Sequence, residues 1–444
     1  MVVTTTVVGL LAVVVAVAAL SRKLGLLGPI ALVVVGLGLS LVPGVPSVQL
    51  DPEFVLFGVL PPLLYVAALE TSVPAFRTNL RPILLLAVGL VAFTTAVVGV
   101  VLHLLLPAVP LAACLALGAV VAPPDAIAAT AIARRIGLPR RLVTILEGES
   151  LLNDASALVL FRVAVAAAVG TAVGPLAIGG QILLAAGGGI AVGALGAVVV
   201  GFLHRKTDHP LLDNAISLLT PFAVAVVAEE VHASAVVAVV VTGLYLGHRM
   251  PTLMSAGSRL QMGAFWRLVK FLLEGMVFLL VGLQLRQVLS GLDTPLGQLV
   301  WITAAIVLTV IVSRLVWVYP ATYLARLVPR IRQRDPAPAL AIPTLVGWAG
   351  MRGVVTLATA LALPATLAGG QAYPRGLFVW LAFAVILATL VQGTTLPALA
   401  RALKVPPDSA TEDILAEAAI QQAASRAARE RLELNADGAP PEVV

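Results

Sequence analysis

The sequence predicts an all-α polytopic membrane protein, and three observations carry that expectation. Of its 444 residues, 60% are hydrophobic and 11% charged, for a mean hydropathy of +1.05. Apolar runs long enough to cross a bilayer, about 20 residues each, recur along almost the whole chain, a repetition no soluble core requires. Most basic residues sit in every second connection between those runs. In a soluble protein a net charge of +6 would suggest a nucleic acid. Here its alternation accounts for it, so the expected partner is the lipid bilayer, with no nucleic acid.

Thirteen spans can be placed, near residues 2–20, 25–42, 53–70, 81–106, 110–133, 142–169, 177–203, 211–230, 233–247, 262–285, 296–325, 340–365 and 375–403. The first has no basic residue inside it and is followed by Arg22 and Lys23, the pattern of a first transmembrane helix rather than a cleaved signal. One cysteine, Cys114, leaves neither a disulfide framework nor a thiolate metal site. Connections after odd-numbered spans carry Arg22 and Lys23, Arg77 and Arg81, Arg134 to Arg141, Arg205 and Lys206, Arg249 to Lys270, and Arg326 to Arg334. Those after even-numbered spans hold only Arg286 and Arg375. The positive-inside rule then puts the N-terminus outside and the C-terminus in the cytoplasm of a plasma-membrane protein. A miscounted span would scramble this alternation. Arg162 and Arg314 fall within spans and are expected to snorkel to helix ends.

Two spans are broken. In the fifth, Pro123 and Pro124 remove two backbone donors just before Asp125. In the twelfth, Gly347-Trp-Ala-Gly-Met-Arg-Gly353 sets glycines around Arg352, a poor continuous helix. Broken helices at corresponding positions of two halves point to a transporter site. The transmembrane domain, residues 1–404, is therefore expected to hold two inverted-topology repeats, about 2–169 and 211–403. Helix 177–203 would link them, and the broken helices 5 and 12 would cross near the midplane. Residues 405–444 read as a short cytosolic tail with a helix to about Leu434.

The polar stretch Leu146 to Phe161 interrupts the sixth span with Glu147, Glu149, Ser150, Asn153 and Asp154. Carboxylates at that depth cost about 2.5–3.5 kcal/mol each on insertion scales, so a functional site is the default reading. Ser150 and Asp154, four apart, share a helix face, and Glu149 and Asn153 share the adjacent one. Oxygen ligands of this kind suit a hard cation, or a proton competing with it. The structural alternative is that Asp154 and Asp125 are satisfied by broken-helix amides or by Arg352. Glu149 with Arg352 is the expected buried ion pair, and Glu147, nearer the cytoplasmic end, a funnel-lining charge. Glu70, Glu229 and Glu230 end their spans as interface-level acids, and Glu274 lies inside the tenth span with no evident partner. His103, His204, His209, His232 and His248 read as satisfied or solvated loop and helix-end residues. Enzyme readings find no support. The chain lacks the GxGD of intramembrane aspartyl proteases, the second glycine of a nucleophile elbow after Ser150, and any HExxH.

At these residues the chain resembles the monovalent cation:proton antiporters, in their NhaP/NHE-like sodium–proton exchanger branch. Gly148-Glu-Ser-Leu-Leu-Asn-Asp-Ala155 is similar to the family's signature, and Gly350-Met-Arg-Gly353 to its Gly-x-Arg-Gly. Its Pro-Thr-Asp-Pro stands here as Pro123-Pro124-Asp125-Ala126. Leu60–Tyr65 and Val277–Leu285 match more loosely. The resemblance implies that Asp154 binds cation and proton, with Asp154 and Ser150 as Na⁺ ligands, Asn153 orienting the site and Asp125 acting beside the ion. Glu149 and Arg352 would form the structural pair. Pro124 in place of threonine leaves only a backbone carbonyl for ligation. Where many relatives carry an acid this chain has Val66, and Glu70 one turn later is the candidate substitute.

The expected function is electroneutral exchange of one Na⁺, or Li⁺, for one H⁺ by alternating access, supporting pH homeostasis, with no cofactor and no catalysis. Asparagine at 153, where electrogenic relatives carry a second aspartate, implies one-for-one exchange. The resemblance also implies a homodimer. A K⁺/H⁺ antiporter of the same mechanism is the alternative, and a channel or ion-binding protein without exchange is the alternative of another class. A tight paired-carboxylate site favours a carrier over a pore.

Overall fold

The computed structural model describes residues 2–43, 50–171, 174–207, 209–335, 337–405 and 410–435. The chain is all-α. Its principal helices are α1 (Val2–Leu24), α2 (Gly28–Ser40), α3 (Phe54–Glu70), α4 (Leu80–Leu105), α5 (Leu111–Val121), α6 (Ala126–Arg135), α7 (Arg140–Ala168), α8 (Pro175–Lys206), α9 (Pro210–Glu230), α10 (Ala235–Leu253), α11 (Ala256–Leu283), α12 (Leu296–Tyr323), α13 (Ala341–Trp348), α14 (Val354–Leu361), α15 (Arg375–Thr394) and α16 (Ala410–Asn435). Each apolar stretch of the sequence coincides with one of these helices or with a broken pair. Among the described residues nine helices are long and apolar enough to cross a membrane, and α2, α3 and α5 are shorter apolar helices.

The two breaks fall where backbone chemistry demands them. α5 stops at Val121 and α6 starts at Ala126, because Pro123 and Pro124 cannot supply the N–H groups a continuous helix would need. α13 ends at Trp348 and α14 resumes at Val354, with the glycine-flanked Arg352 between them. The freed backbone groups of one break meet those of the other. The Asp125 N–H donates to the Met351 carbonyl at 2.6 Å. The Arg352 N–H donates to Thr389 Oγ1 of α15 at 3.0 Å.

α7 is the hub. Its Leu142, Val143 and Leu146 enter one apolar cluster with α11 and α13. Leu151 and Ala155 enter a second with α3 and α10, and Phe161, Ala164 and Ala168 a third with α5 and α15. The polar face of α7 therefore lies inside protein on every side, with Glu149, Asn153 and Asp154 all buried. α8 packs along α10 and α9. α16 carries exposed side chains from Glu417 to Leu432, while residues 406–409 and 436–444 of the tail lie outside the described residues.

Helices pack closely where small residues allow it. At the crossing of α2 and α11, Gly36 and Gly282 face each other, and a Cβ on Gly282 would lie 2.7 Å from the Leu37 nitrogen and 2.8 Å from the Gly36 Cα. Backbones that approach this closely need glycine on both sides. Gly282→Leu is therefore expected to lower stability by about 1–3 kcal/mol through forced separation of the pair. Thermal unfolding of the purified protein in detergent measures this, and an unchanged midpoint would contradict the close crossing.

Candidate ion-binding site

Asp154, midway along α7, lies in the wall of a cavity of about 380 Å³. Ser150, one turn before it on the same face, lines the cavity too, as do Pro123, Pro124 and Asp125 from the first break and Gly353 and Val354 from the second. Helix periodicity alone brings Ser150 and Asp154 together, whereas Asp125 arrives only because the fifth span is broken and turned toward α7. Gly353 is required at its position, since a Cβ there would collide with the Asp125 carboxylate.

Asn153 is fully buried behind the cavity lining, and its Nδ2 donates to the Pro124 carbonyl of the first break at 2.5 Å. The carbonyl left to position 124 by its proline thus already accepts a hydrogen bond. Asn153 ties α7 to the broken strand of chain carrying Asp125. Its Oδ1 is buried and accepts no hydrogen bond among the described residues.

The more exposed part of the lining carries two ion pairs. Arg134 of α6 pairs with Glu147 of α7 at 2.5 Å, and Lys270 of α11 pairs with Glu70 of α3 at 2.8 Å. Both pairs line the same cavity. Partial exposure makes such pairs weak stabilisers, worth about 0–1 kcal/mol, so their charges matter more for the field in the funnel than for the fold. Glu274, one turn beyond Lys270 on α11, also lines the cavity, with its Oε1 buried and without a hydrogen-bond partner among the described residues. Asp125, Asp154 and Glu274 make the interior rich in carboxylate oxygen, the donor set a hard monovalent cation takes.

The expected Glu149–Arg352 pair is not formed. Glu149 instead receives both Nη atoms of Arg314, at 2.5 and 2.8 Å, and the two side chains are each 1% exposed. Arg314 does not snorkel. It lies deep within α12, and its Nε donates to the Val346 carbonyl at 3.1 Å. The fork of a guanidinium matches a carboxylate bidentately, and a charge this deep needs such a partner. Arg352 serves backbone rather than acid. Its Nε donates to the Val121 carbonyl at 3.1 Å, its Nη2 to the Ala122 carbonyl at 3.4 Å, and its Nη1 to the Gly350 carbonyl. It caps the carboxyl end of α5, where the unpaired carbonyls of a terminating helix concentrate negative potential. The sequence did carry a signal for Arg314, an arginine among apolar residues far from either end of its span. Proximity in the motif made Arg352 the obvious partner, and only the fold separates the two arginines.

Elsewhere, Arg162 meets Glu229 at 2.9 Å with more than half of its side chain exposed. His204 is buried against Asp213, Nδ1 to Oδ1 at 2.8 Å, far from the cavity lining.

Comparison with known proteins agrees with this architecture. Residues 9–402 match the family described as sodium/hydrogen exchanger, transmembrane. An uncharacterized Na⁺/H⁺ exchanger of Mycobacterium bovis is 39% identical over 390 residues, covering 86% of this chain and 71% of that protein. A sodium, potassium, lithium and rubidium/H⁺ antiporter of Bacillus pumilus is 33% identical, over 83% of this chain and 57% of its own length. The Na⁺/H⁺ antiporter ApNhaP of Aphanothece halophytica is 31% identical, over 92% and 75%. Among solved structures, the sodium proton antiporter MjNhaP1 from Methanocaldococcus jannaschii superposes with a TM-score of 0.69, over 91% of this chain and 99% of that one, at 18% identity. At that identity the likeness speaks to the fold alone.

The ion pair generates a prediction. Removing one member of a buried pair strands the other charge, at about 3–5 kcal/mol, whereas apolar replacement of both is far milder. Glu149→Leu or Arg314→Met alone should therefore reduce folded yield sharply, and the double substitution should recover much of it. In the same double-mutant cycle, Glu149 and Arg352 should show weaker coupling than Glu149 and Arg314. Fluorescence-detected size-exclusion of the variants reads the outcome, and strong coupling only to Arg352 would reverse the assignment.

Proposed function

The chain belongs to the sodium/hydrogen exchanger family of multi-pass cation/proton antiporters, and from that premise we propose that it exchanges one Na⁺ or Li⁺ for one H⁺, electroneutrally, with both ions competing for Asp154. The observation that supports this most directly is the placement of Asp154 with Ser150 and Asp125 around one cavity, at the meeting of two helix breaks. A carboxylate can hold a proton or ligate a cation, and each excludes the other. Ser150 is the second Na⁺ ligand, Asp125 acts beside the ion, and Asn153 holds the break in register. The charged empty site is the costly one at the midplane, so the carrier crosses loaded with one ion or the other.

One-for-one stoichiometry rests on residue 153. An acid there would add a second titrating carboxylate, whereas the asparagine carries no charge; Lys23, Lys206 and Lys404 lie at helix ends or beyond them, and Lys270, within α11, is already paired with Glu70. The inverted repeats, 2–169 and 211–403 joined by α8, are the frame for alternating access. In the proposed orientation the N-terminus is outside and the C-terminus cytoplasmic, in the plasma membrane, so the funnel with Arg134 and Glu147 opens to the cytoplasm. Homodimerisation and a role in cytoplasmic pH homeostasis complete the proposal, on the family resemblance. Exchange of K⁺ for H⁺ is the second reading, favoured by the Bacillus pumilus relative, which is described as accepting potassium.

Proton movement in everted vesicles after pulses of NaCl, LiCl, KCl and choline chloride tests the site and the cation together. Collapse of the pH gradient is expected with Na⁺ and Li⁺ and is expected to vanish in Asp154→Asn, with the variant still folded. Normal exchange by that variant would end the assignment of Asp154, and a K⁺ response equal to that with Na⁺ would select the second reading. In proteoliposomes, the initial rate of Na⁺-driven proton movement should not change when a potassium diffusion potential is imposed. A rate that follows the potential would refute one-for-one exchange.

A further inference from the structure

A second cavity, of about 160 Å³, lies at the membrane border where α4 and α7 begin and α12 ends. It shares none of its lining with the ion-binding cavity. Its floor is apolar, with Leu86, Leu142 and Val318 all nearly inaccessible. Its rim carries three guanidinium groups, Arg81, Arg141 and Arg326, and one acid, Asp335. Asp335 bridges two of the three, to Arg141 Nη2 at 2.7 Å and to Arg326 Nη2 at 2.6 Å. Arg141 also donates through Nε to Asn79 Oδ1 at 3.0 Å, and Arg326 through Nε to the Asp335 carbonyl at 3.0 Å. Arg81 makes no ion pair among the described residues. Among the described residues of the lining, one carboxylate thus faces three guanidinium groups over an apolar hollow.

We propose that this cavity binds the headgroup phosphate of an anionic glycerophospholipid, with the first carbons of the lipid entering over the apolar floor. Three features select that chemistry. A guanidinium presents its N–H groups in a planar fork suited to phosphate oxygens, and among the described residues Arg141 uses two of its five donors. The excess of positive charge stands at the end of membrane spans, where acidic headgroups lie and basic pockets between helices take them. The hollow has room for about five water-sized volumes, enough for a phosphate with its glycerol carbons and too little for a nucleotide. A purely ionic ligand would leave the apolar floor uncovered, while a neutral lipid would leave Arg81 without a counter-charge.

The pocket also touches the transport frame. Val346, which lines it, offers its carbonyl to Arg314, the partner of Glu149. A bound lipid would press on α13, the half-helix that leads into the second break. The binding itself does not depend on which cation is exchanged, so its failure would leave the antiport proposal untouched.

The test is thermal unfolding of the full-length protein in detergent, titrated separately with dioleoyl phosphatidylglycerol, dioleoyl phosphatidylcholine and inorganic phosphate. Phosphatidylglycerol should raise the midpoint by several degrees, and the other two should not. Arg81→Gln should leave the lipid-free midpoint unchanged and raise the half-effect concentration by about tenfold, the equivalent of about 1.4 kcal/mol. Arg81→Lys should fall between. Native mass spectrometry supplies a reading independent of stability, with phosphatidylglycerol retained over phosphatidylcholine by wild type and less by Arg81→Gln. Equal effects of the two lipids, an equal effect of inorganic phosphate, or a wild-type response in Arg81→Gln would each overturn the proposal.

Discussion

The structure depends on one constraint, that backbone polar groups freed at membrane depth must find partners inside the protein. Breaking a helix there frees N–H and carbonyl groups that hydrocarbon cannot satisfy, and each costs several kcal/mol. This chain breaks two helices and lets each break satisfy the other. The Asp125 amide meets the Met351 carbonyl, Arg352 crosses to the carbonyls at the end of α5, and Asn153 closes the set from α7 through the Pro124 carbonyl. The polar site exists because these irregular segments are buried in protein, not lipid.

Much of this was legible in the sequence because it is local or periodic. Apolar runs marked the spans, paired prolines before Asp125 and glycines around Arg352 marked the breaks, and the four-residue spacing of Ser150 and Asp154 set them on one face. The pairing of Glu149 was not legible. Its partner lies on α12, 165 residues away in sequence, and two buried arginines were available. The motif arginine looked the better choice, and what decides is that Arg352 lies within reach of the α5 carbonyls while Arg314 points along the interior toward α7. Pairings that hinge on helix rotation leave no mark in spacing or composition.

The same limit applies at the cavity mouth. Glu70 and Lys270 each end or interrupt a span as a lone charge, and nothing local says that α3 and α11 bring them to 2.8 Å. Glu274 was conspicuous as an acid inside a span, and the structure places it in the cavity lining without supplying a partner among the described residues. A charge in hydrocarbon is easy to notice in sequence, whereas its companion is fixed only by tertiary packing.

The Asn153–Pro124 contact bears on how such a carrier could change over evolutionary time. At present a donor meets an acceptor there, 2.5 Å apart. An ionised aspartate at 153 would set an acidic oxygen against the Pro124 carbonyl, and only its protonated form could still donate there. A second acid at this position would be held in its protonated form by that carbonyl, unless a change at 124 or a new donor nearby favoured the ionised one. A charge at 153 is thus coupled to the residue at 124, and the two positions are expected to vary together.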